Sequence, residues 1–502
     1  MIDVLNINPE PALEFRYSQR LCDPRDGLSI FGPYDTDEPS HPKNISYALI
    51  GTEKGLNLFR EFAERIQAPI MIEADQKGRL LWPAFPGFEA AFHSSWSSKA
   101  TRYRTIEEEK LLKYVKDRDP NKRNWFVVET YISSIQRILQ HEEIVSVIIC
   151  VVPDIVYRNC RPESRVQDGI GDSISRKERQ LRMSGQKDLF DSYDPAQYQH
   201  SVDFRRQIKA RAMKYGVPIQ IIRESTLRLT EPTKENPRGL TPLSDRAWNL
   251  AVAIYYKSGG KPWRLSSARE GVCYIGIAYR LTGTKTGSKS ACCAAQMFLD
   301  TGDGIVFMGE RGRWYSPERR EFHLSRRAAK NLLSGVLKTY VELEGKPLCE
   351  IFLHCRSTLD SEEFSGFQEA CPKGVKLIGI RVRPESRDGL RLFREGTRPV
   401  LRGTFWRISN NQGYLWTSGY KPRLGTYDGW ETPVPLRVDI QHGKGELAQV
   451  ATDILGLTKL NYNACRLGES EPVTVGFSSA VGEILVSNPT VKDVSNKFRF
   501  YI

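Results

Sequence analysis

Arg205 and Lys209 stand four residues apart in Phe204-Arg205-Arg206-Gln207-Ile208-Lys209-Ala210-Arg211. On a helix that spacing puts both cations on one face. Gln220 follows the turn Gly216-Val217-Pro218 and opens an apolar run. Lys257 closes a second helical pattern, directly before Ser258-Gly259-Gly260, a helix stop. Two cations, an amide and a third cation can converge on one small anion. A phosphate needs that combination of fixed charge and several donors. A basic i,i+4 pair alone is equally a solvated helix face, so the choice rests on the elements around it.

Those elements read as alternating strands and helices. Residues 46–51 form a short apolar strand. Residues 52–66 form an amphipathic helix with Leu56, Phe59, Phe62 and Ile66 on one stripe. Residues 69–73 read as another strand, and 129–140 as a helix. The β-branched run 144–152 has the look of a buried parallel strand. After the cation pair come a strand at 219–223 and a helix at 244–257, with Thr241 or Ser244 as its cap. Strand, helix, strand in this order predicts an α/β layer. Two stretches break the pattern. Asp23-Pro24-Arg25-Asp26-Gly27-Leu28 and Phe31-Gly32-Pro33-Tyr34-Asp35 are turn chemistry, which on physics alone predicts a surface arm. Residues 159–201 are rich in Arg, Ser, Gly and Asp and hold Arg176-Lys177-Glu178-Arg179. They read as a solvated insertion, ordered on binding.

From Gly271 the pattern restarts. Strands are expected at 272–278, 295–299 and 305–308, a helix at 326–343, and strands at 350–355 and 375–382. A hairpin follows over 404–417, with Asn410-Asn411-Gln412-Gly413 as its turn. Three strands, a helix and a strand is how a ribonuclease H-like sheet opens. A boundary at 261–269 divides the chain into an arm with a first domain, residues 1–265, and a second domain, residues 266–502.

The totals agree with this division. A chain of 502 residues exceeds one ordinary core. A net charge of +13 suits a polyanionic partner, though charge alone does not separate nucleic acid from a membrane surface. Ten cysteines without a Cys-x-x-Cys are no disulfide framework, and adjacent Cys292-Cys293 are poor zinc geometry. The start Met-Ile-Asp-Val lacks a signal-peptide pattern, and no apolar run reaches ~18 residues. The expectation is a soluble cytoplasmic protein with no membrane partner.

Arg205, Lys209, Gln220 and Lys257 at these spacings resemble the guide 5′-phosphate pocket of the Argonaute MID domain. Further stretches resemble the same family: Asp23-Pro24-Arg25-Asp26-Gly27-Leu28, Phe31-Gly32-Pro33, Phe85-Pro86-Gly87-Phe88, Ala291-Cys292-Cys293-Ala294-Ala295-Gln296 and Leu460-Asn461-Tyr462-Asn463-Ala464. The chain looks like a short prokaryotic Argonaute, with a Rossmann-like MID domain followed by a ribonuclease H-like PIWI domain. In that family the C-terminal carboxylate, here Ile502, can join the guide phosphate through a divalent ion, which implies Mg2+.

The same resemblance locates the PIWI metal ligands and finds them replaced. Tyr274-Ile275-Gly276-Ile277-Ala278 looks like the first PIWI strand, with Ala278 where an aspartate belongs. Ile351-Phe352-Leu353-His354-Cys355-Arg356 looks like the strand ending in the second aspartate, with Arg356 or its neighbour there. Ser479 falls at the last ligand. Two-metal cleavage needs several carboxylates around ions about 4 Å apart. Asp300 and Asp303 are either substitutes or a hairpin turn. Gly283 to Ser290 fails the phosphate-loop spacing and reads as a basic surface loop. The resemblance therefore implies an inactive PIWI domain with no catalytic metal. It also implies guide RNA, target single-stranded DNA and a second chain with an APAZ domain and a TIR or SIR2 effector that hydrolyses NAD in antiviral and anti-plasmid defence. Two other readings stay open: a guided endonuclease with unrecognised ligands, and a guide-independent nucleic-acid-binding scaffold.

Overall fold

The structure is a computed structural model. It describes residues 4–72, 83–171, 173–185, 193–231, 241–281, 291–299, 304–312, 314–316, 318, 321–343, 347–386, 389–427, 429, 431–486, 488, 491 and 494–502. Asp300, Asp303 and the 283–290 loop lie outside the described residues.

The first half is built on a parallel sheet of four strands. Arg102–Thr105, Tyr47–Gly51, Val147–Val152 and Ile219–Arg223 lie side by side in that order. Val147–Val152 is buried at every residue, which explains its unbroken β-branched sequence. The run is shorter than its composition predicts because Ile144 is exposed ahead of it. Helix Glu53–Arg65 is capped by Thr52 and buries Leu56, Phe59 and Phe62, as its stripe requires. Helix Pro120–Leu139 starts well before the expected one, with Asp119 as N-cap and Pro120 in the first turn.

Several expectations need correction. The strand at 69–73 reduces to one bridge, in which Ile70 and Phe85 exchange both backbone hydrogen bonds. Neither Thr241 nor Ser244 caps helix Leu243–Lys257. Pro242 holds the N-cap, and the Glu231 carboxylate accepts from Leu243 N–H. The surface arm is buried: Pro24–Ile30 is a helix whose Arg25 donates to Cys465 O at 2.7 Å and pairs with Asp245. Gly27 is required there, since a Cβ would lie 2.1 Å from the Phe15 ring. The 159–201 stretch is also more ordered than its charges suggest. Arg176–Ser184 is a helix with a Ser175/Glu178 capping box. Its Arg182 is buried and donates to Tyr198 OH at 2.7 Å, which donates to Asp119 at 2.6 Å.

The second half is organised by a nine-stranded sheet. Its order is Val4–Ile7, Thr404–Arg407, Gln412–Leu415, Leu436–His442, Lys376–Pro384, Glu350–Cys355, Val272–Leu281, Ala291–Phe298 and Gly304–Gly312. Each of the last three strands is antiparallel to its neighbour among them, and Val272–Leu281 runs parallel to Glu350–Cys355 and that strand to Lys376–Pro384. This is the ribonuclease H-like arrangement. Helices Arg326–Leu343 and Ser361–Ala370 pack on one face, and Leu447–Leu457 and Val473–Val486 on the other.

The arm ties the halves together. Val4–Ile7 is a strand of the large sheet, while Leu13–Glu14 pairs with Arg264–Leu265. One hydrophobic core runs without a break from Leu13 and Tyr47 through Trp248 and Trp263 to Ile454 and Ile502. Among the described residues no helix is long and apolar enough to cross a membrane.

Candidate functional site

A cleft of about 560 Å3 runs along the edge strand Ile219–Arg223, from Gln220 to Arg223, and reaches Val152 at the end of the neighbouring strand. Arg205, Lys209, Gln220, Lys257 and Ile502 all line it. Helix Phe204–Ala212 brings its N-terminal end to the cleft, with Asp203 as N-cap accepting from Arg206 N–H. Helix Leu243–Lys257 delivers Lys257 from its last turn, and Gly259, at φ +107, turns the chain away.

The two lysines are buried and converge on the C-terminus. Lys209 Nζ donates to Tyr501 O at 2.8 Å and to Ile502 O at 2.6 Å. Lys257 Nζ donates to the same Ile502 oxygen at 2.7 Å, to Gln220 Oε1 at 2.7 Å and to Ile219 O at 2.9 Å. Arg205 is exposed by area although protein surrounds much of it, as expected of a side chain facing into a concavity. Burial and then the Arg205 guanidinium lower both ammonium groups, Lys209 well below the usual lysine value and Lys257 down to about 7. The result is a small basic cradle whose two ammonium groups meet on one main-chain oxygen, that of Ile502.

The donor set bears on a divalent ion. Its oxygens are those of Ile502 and the Gln220 amide, and both already accept from lysine ammonium groups. Magnesium keeps several waters and is held by one or two carboxylates plus substrate phosphates. An ion here would need an incoming phosphate to supply its main charge, since the protein oxygens are shared with lysines.

One wall of the cleft carries no signal in the sequence. The Tyr157 ring lies between two guanidinium groups, Arg161 at 3.4 Å and Arg223 at 3.9 Å from its centroid. Asn463 comes from the second half, as does Ile502. Three-dimensional packing assembles these residues; Tyr157, Arg161 and Arg223 have no mark in the sequence, while Asn463 and Ile502 are marked only by the family resemblance.

The second site of interest lies on the large sheet. Parallel register sets His354 beside Gly276 and Cys355 beside Ile277, so Arg356 follows next to Ala278. Strand alternation turns Gly276, Ala278, His354 and Arg356 to the face covered by helix Val473–Val486. Ser479 belongs to that helix. Ala278 brings a methyl group, and Arg356 pairs with Glu471 at 2.6 Å. His354 is buried and bonded through Nδ1 to Thr474 Oγ1 at 2.8 Å; burial pushes it down to about 3, so it is neutral. Among the described residues no group of three or more His, Cys, Asp or Glu is placed to hold a metal ion.

No family model matches the sequence, and no curated protein matches it either. Solved structures do match by fold. The chain is similar to Clostridium butyricum Argonaute, solved with a guide DNA (5′ deoxycytidine) and a 19-mer target DNA. That similarity has 14% identity and a TM-score of 0.63, over 100% of this chain and 55% of that one. It is also similar to A. aeolicus Argonaute, at 14% identity and a TM-score of 0.56, over 98% of this chain and 55% of that one. The fold is thus Argonaute-like, with the MID–PIWI arrangement of α/β layers. The chain spans 55% of the length of these structures.

Proposed function

We propose that this chain is a guide-directed nucleic-acid receptor that does not cut. A guide strand anchors its 5′-phosphate in the cleft of Arg205, Lys209, Gln220 and Lys257, and base pairing with the guide selects the target. The observation that carries this reading is the convergence of two buried ammonium groups, an amide and a guanidinium in one cleft beside the edge strand. Ile502, if it carries the terminal carboxylate, would hold a magnesium ion, which would supply further positive charge to the phosphate. The lysines and Gln220 orient the phosphate, and Arg205 at the cleft mouth meets its outer oxygens.

The finer reading rests on the resemblance to short Argonautes. The guide is RNA and the target single-stranded DNA. A partner with an APAZ domain and a TIR or SIR2 effector hydrolyses NAD once the target is paired, in the cytoplasm, as abortive defence. Ala278, Arg356 and Ser479 support a PIWI domain without metal-dependent cleavage, because a methyl, a cation and a hydroxyl replace carboxylate ligands.

The test uses guides with 5′-phosphate and 5′-hydroxyl ends. A charge-assisted hydrogen bond is worth about 1.5–3 kcal/mol, so Lys209→Glu should weaken the phosphorylated guide about tenfold or more and the hydroxyl guide much less. Lys209 also holds the C-terminus, so Arg205→Ala serves as the companion, expected to show the same selectivity with little change in melting temperature. Equal losses for both guides in both variants would move the phosphate site elsewhere.

A further inference from the structure

The helix end that carries Lys257 is gripped from the arm. Tyr255 stands two residues before Lys257 in the last turn of that helix. At about 100° per residue the two side chains leave the helix on opposite sides. Tyr255, Asp35 and His41 are all buried. The Tyr255 hydroxyl is bonded to Asp35 Oδ1, and His41 Nδ1 lies 3.0 Å from the same hydroxyl. His41 Nε2 lies 3.0 Å from His93 O. The other Asp35 oxygen accepts from Lys261 N–H at 2.8 Å. Gly260 packs on the Tyr255 ring, where a Cβ would lie 2.3 Å from it. One cluster therefore holds the chain on both sides of Ser258-Gly259-Gly260.

Counting hydrogen bonds fixes the protons. A carbonyl only accepts, so His41 Nε2 carries a hydrogen. Tyr255 has one hydrogen to give. Given to Asp35, it leaves His41 Nδ1 to donate, and an imidazolium faces a carboxylate, with Nδ1 and Oδ1 3.6 Å apart. Given to His41 Nδ1, it leaves Asp35 to donate as a carboxylic acid. Both arrangements hold the same protons, are neutral overall and make every bond. Burial raises the Asp35 carboxyl. Burial and the Asp35 charge hold the Tyr255 hydroxyl far above its ordinary value, so the phenol keeps its hydrogen.

We propose that Asp35 and His41 are positioning residues for the phosphate cleft: they share one proton through Tyr255 and so fix the helix end that presents Lys257. The proposal rests on the phosphate reading of that cleft. Lys257 reaches Ile219 O, Gln220 and Ile502 from one side of the turn, while Tyr255 is held on the other. Hydrogen bonds weaken steeply as they tilt, so a helix end freed on the arm side aims its ammonium poorly. Phe31-Gly32-Pro33-Tyr34-Asp35 gains a task in this way. Gly32, at φ +81, packs on the His93 ring, where a Cβ would lie 2.3 Å from it, and the chain beyond brings Asp35 to Tyr255.

The test separates the shared proton from packing. Asp35→Ala removes the carboxyl. Tyr255→Phe keeps the ring on Gly260 and removes the hydroxyl. Asp35→Asn makes every bond without a shared proton: its amide donates to the Tyr255 oxygen, Tyr255 donates to His41 Nδ1, and its carbonyl accepts from Lys261 N–H. Each full chain is titrated with one oligonucleotide carrying a 5′-phosphate or a 5′-hydroxyl. Asp35→Ala and Tyr255→Phe should each lose about tenfold of the preference for phosphate with little change for the hydroxyl end, and Asp35→Asn should stay within about twofold of the unaltered chain. Tyr255→Phe carries the comparison if Asp35→Ala unfolds. Preference kept in both disruptive variants, or lost as fully in Asp35→Asn, would overturn the positioning role. Nitrogen NMR of the His41 ring reads the network without any phosphate. It should show Nε2 protonated in the unaltered chain, and the neutral Nε2–H form in Asp35→Asn. A neutral Nδ1–H ring in either chain would overturn the shared proton. No phosphate preference in the unaltered chain would overturn the cleft reading and the positioning role with it, and the ring tautomer tells that failure from a failure of the network.

Discussion

Lys257 is the residue whose protonation should govern the cleft. Its folded value, down to about 7, lies below the unfolded lysine value of ~10.4. Between those limits the unfolded chain binds more protons than the folded one, so stability of the free chain rises with pH. The stability of the neutral form is complete above ~10.4 and lost as pH falls toward 7. Anion binding runs the opposite way, because it needs the ammonium form. A 5′-phosphate carries its second charge above pH ~6. Preference for a 5′-phosphorylated over a 5′-hydroxyl oligonucleotide should therefore peak near neutrality and decline toward pH 9. Parallel affinity measurements for the two ends across this range test it, and a preference that holds flat to pH 9 would assign the anion contact to arginine alone. The i,i+4 spacing in the sequence placed Arg205 and Lys209 on one helix. It could not place Lys209 against Ile502, because a contact across almost 300 residues depends on how the two halves pack.

At the scale of elements, strand Val272–Leu281 depends on Gly276. A Cβ there would lie 1.8 Å from Thr474 O in helix Val473–Val486. Gly276→Ala should push strand and helix apart and cost about 3 kcal/mol, at the upper end for overpacking. Thermal unfolding measures this, and a melting temperature equal to that of the unaltered chain would contradict the close approach. Elements with one dominant signal were legible beforehand. Ile219–Arg223 and Glu350–Cys355 are apolar runs buried in parallel pairing, and Arg326–Leu343 keeps one helical period. The arm was illegible for a physical reason. Arg25 and Asp23 look solvated in sequence, but the guanidinium meets Asp245 and Cys465 O, and Asp23 caps its own helix. The Arg176–Ser184 helix misled in the same way, since one buried arginine on Tyr198 cannot be told from its exposed neighbours by charge alone.

For the whole molecule, one core through both halves joins the Lys209–Lys257 cleft and the large sheet. That suits a receptor in which a guide seated at one end is read along the other. Its proposed output lies in a second chain. Guide, complementary target and magnesium or manganese should leave the target intact, and a guide-dependent cut at one position would overturn the inactive-PIWI reading. With the APAZ partner present, NAD should be consumed only when guide RNA and matching single-stranded DNA are both supplied. NAD loss with this chain alone, or a complex indifferent to target, would contradict it.

The most direct measurement is the equilibrium affinity of the unaltered chain for one RNA sequence prepared with either a 5′-phosphate or a 5′-hydroxyl, at neutral pH with magnesium. The expected result is at least about a tenfold preference for the phosphate, the equivalent of one charge-assisted bond. Equal affinity for the two ends would contradict a phosphate-anchored guide and leave a basic nucleic-acid-binding scaffold in its place.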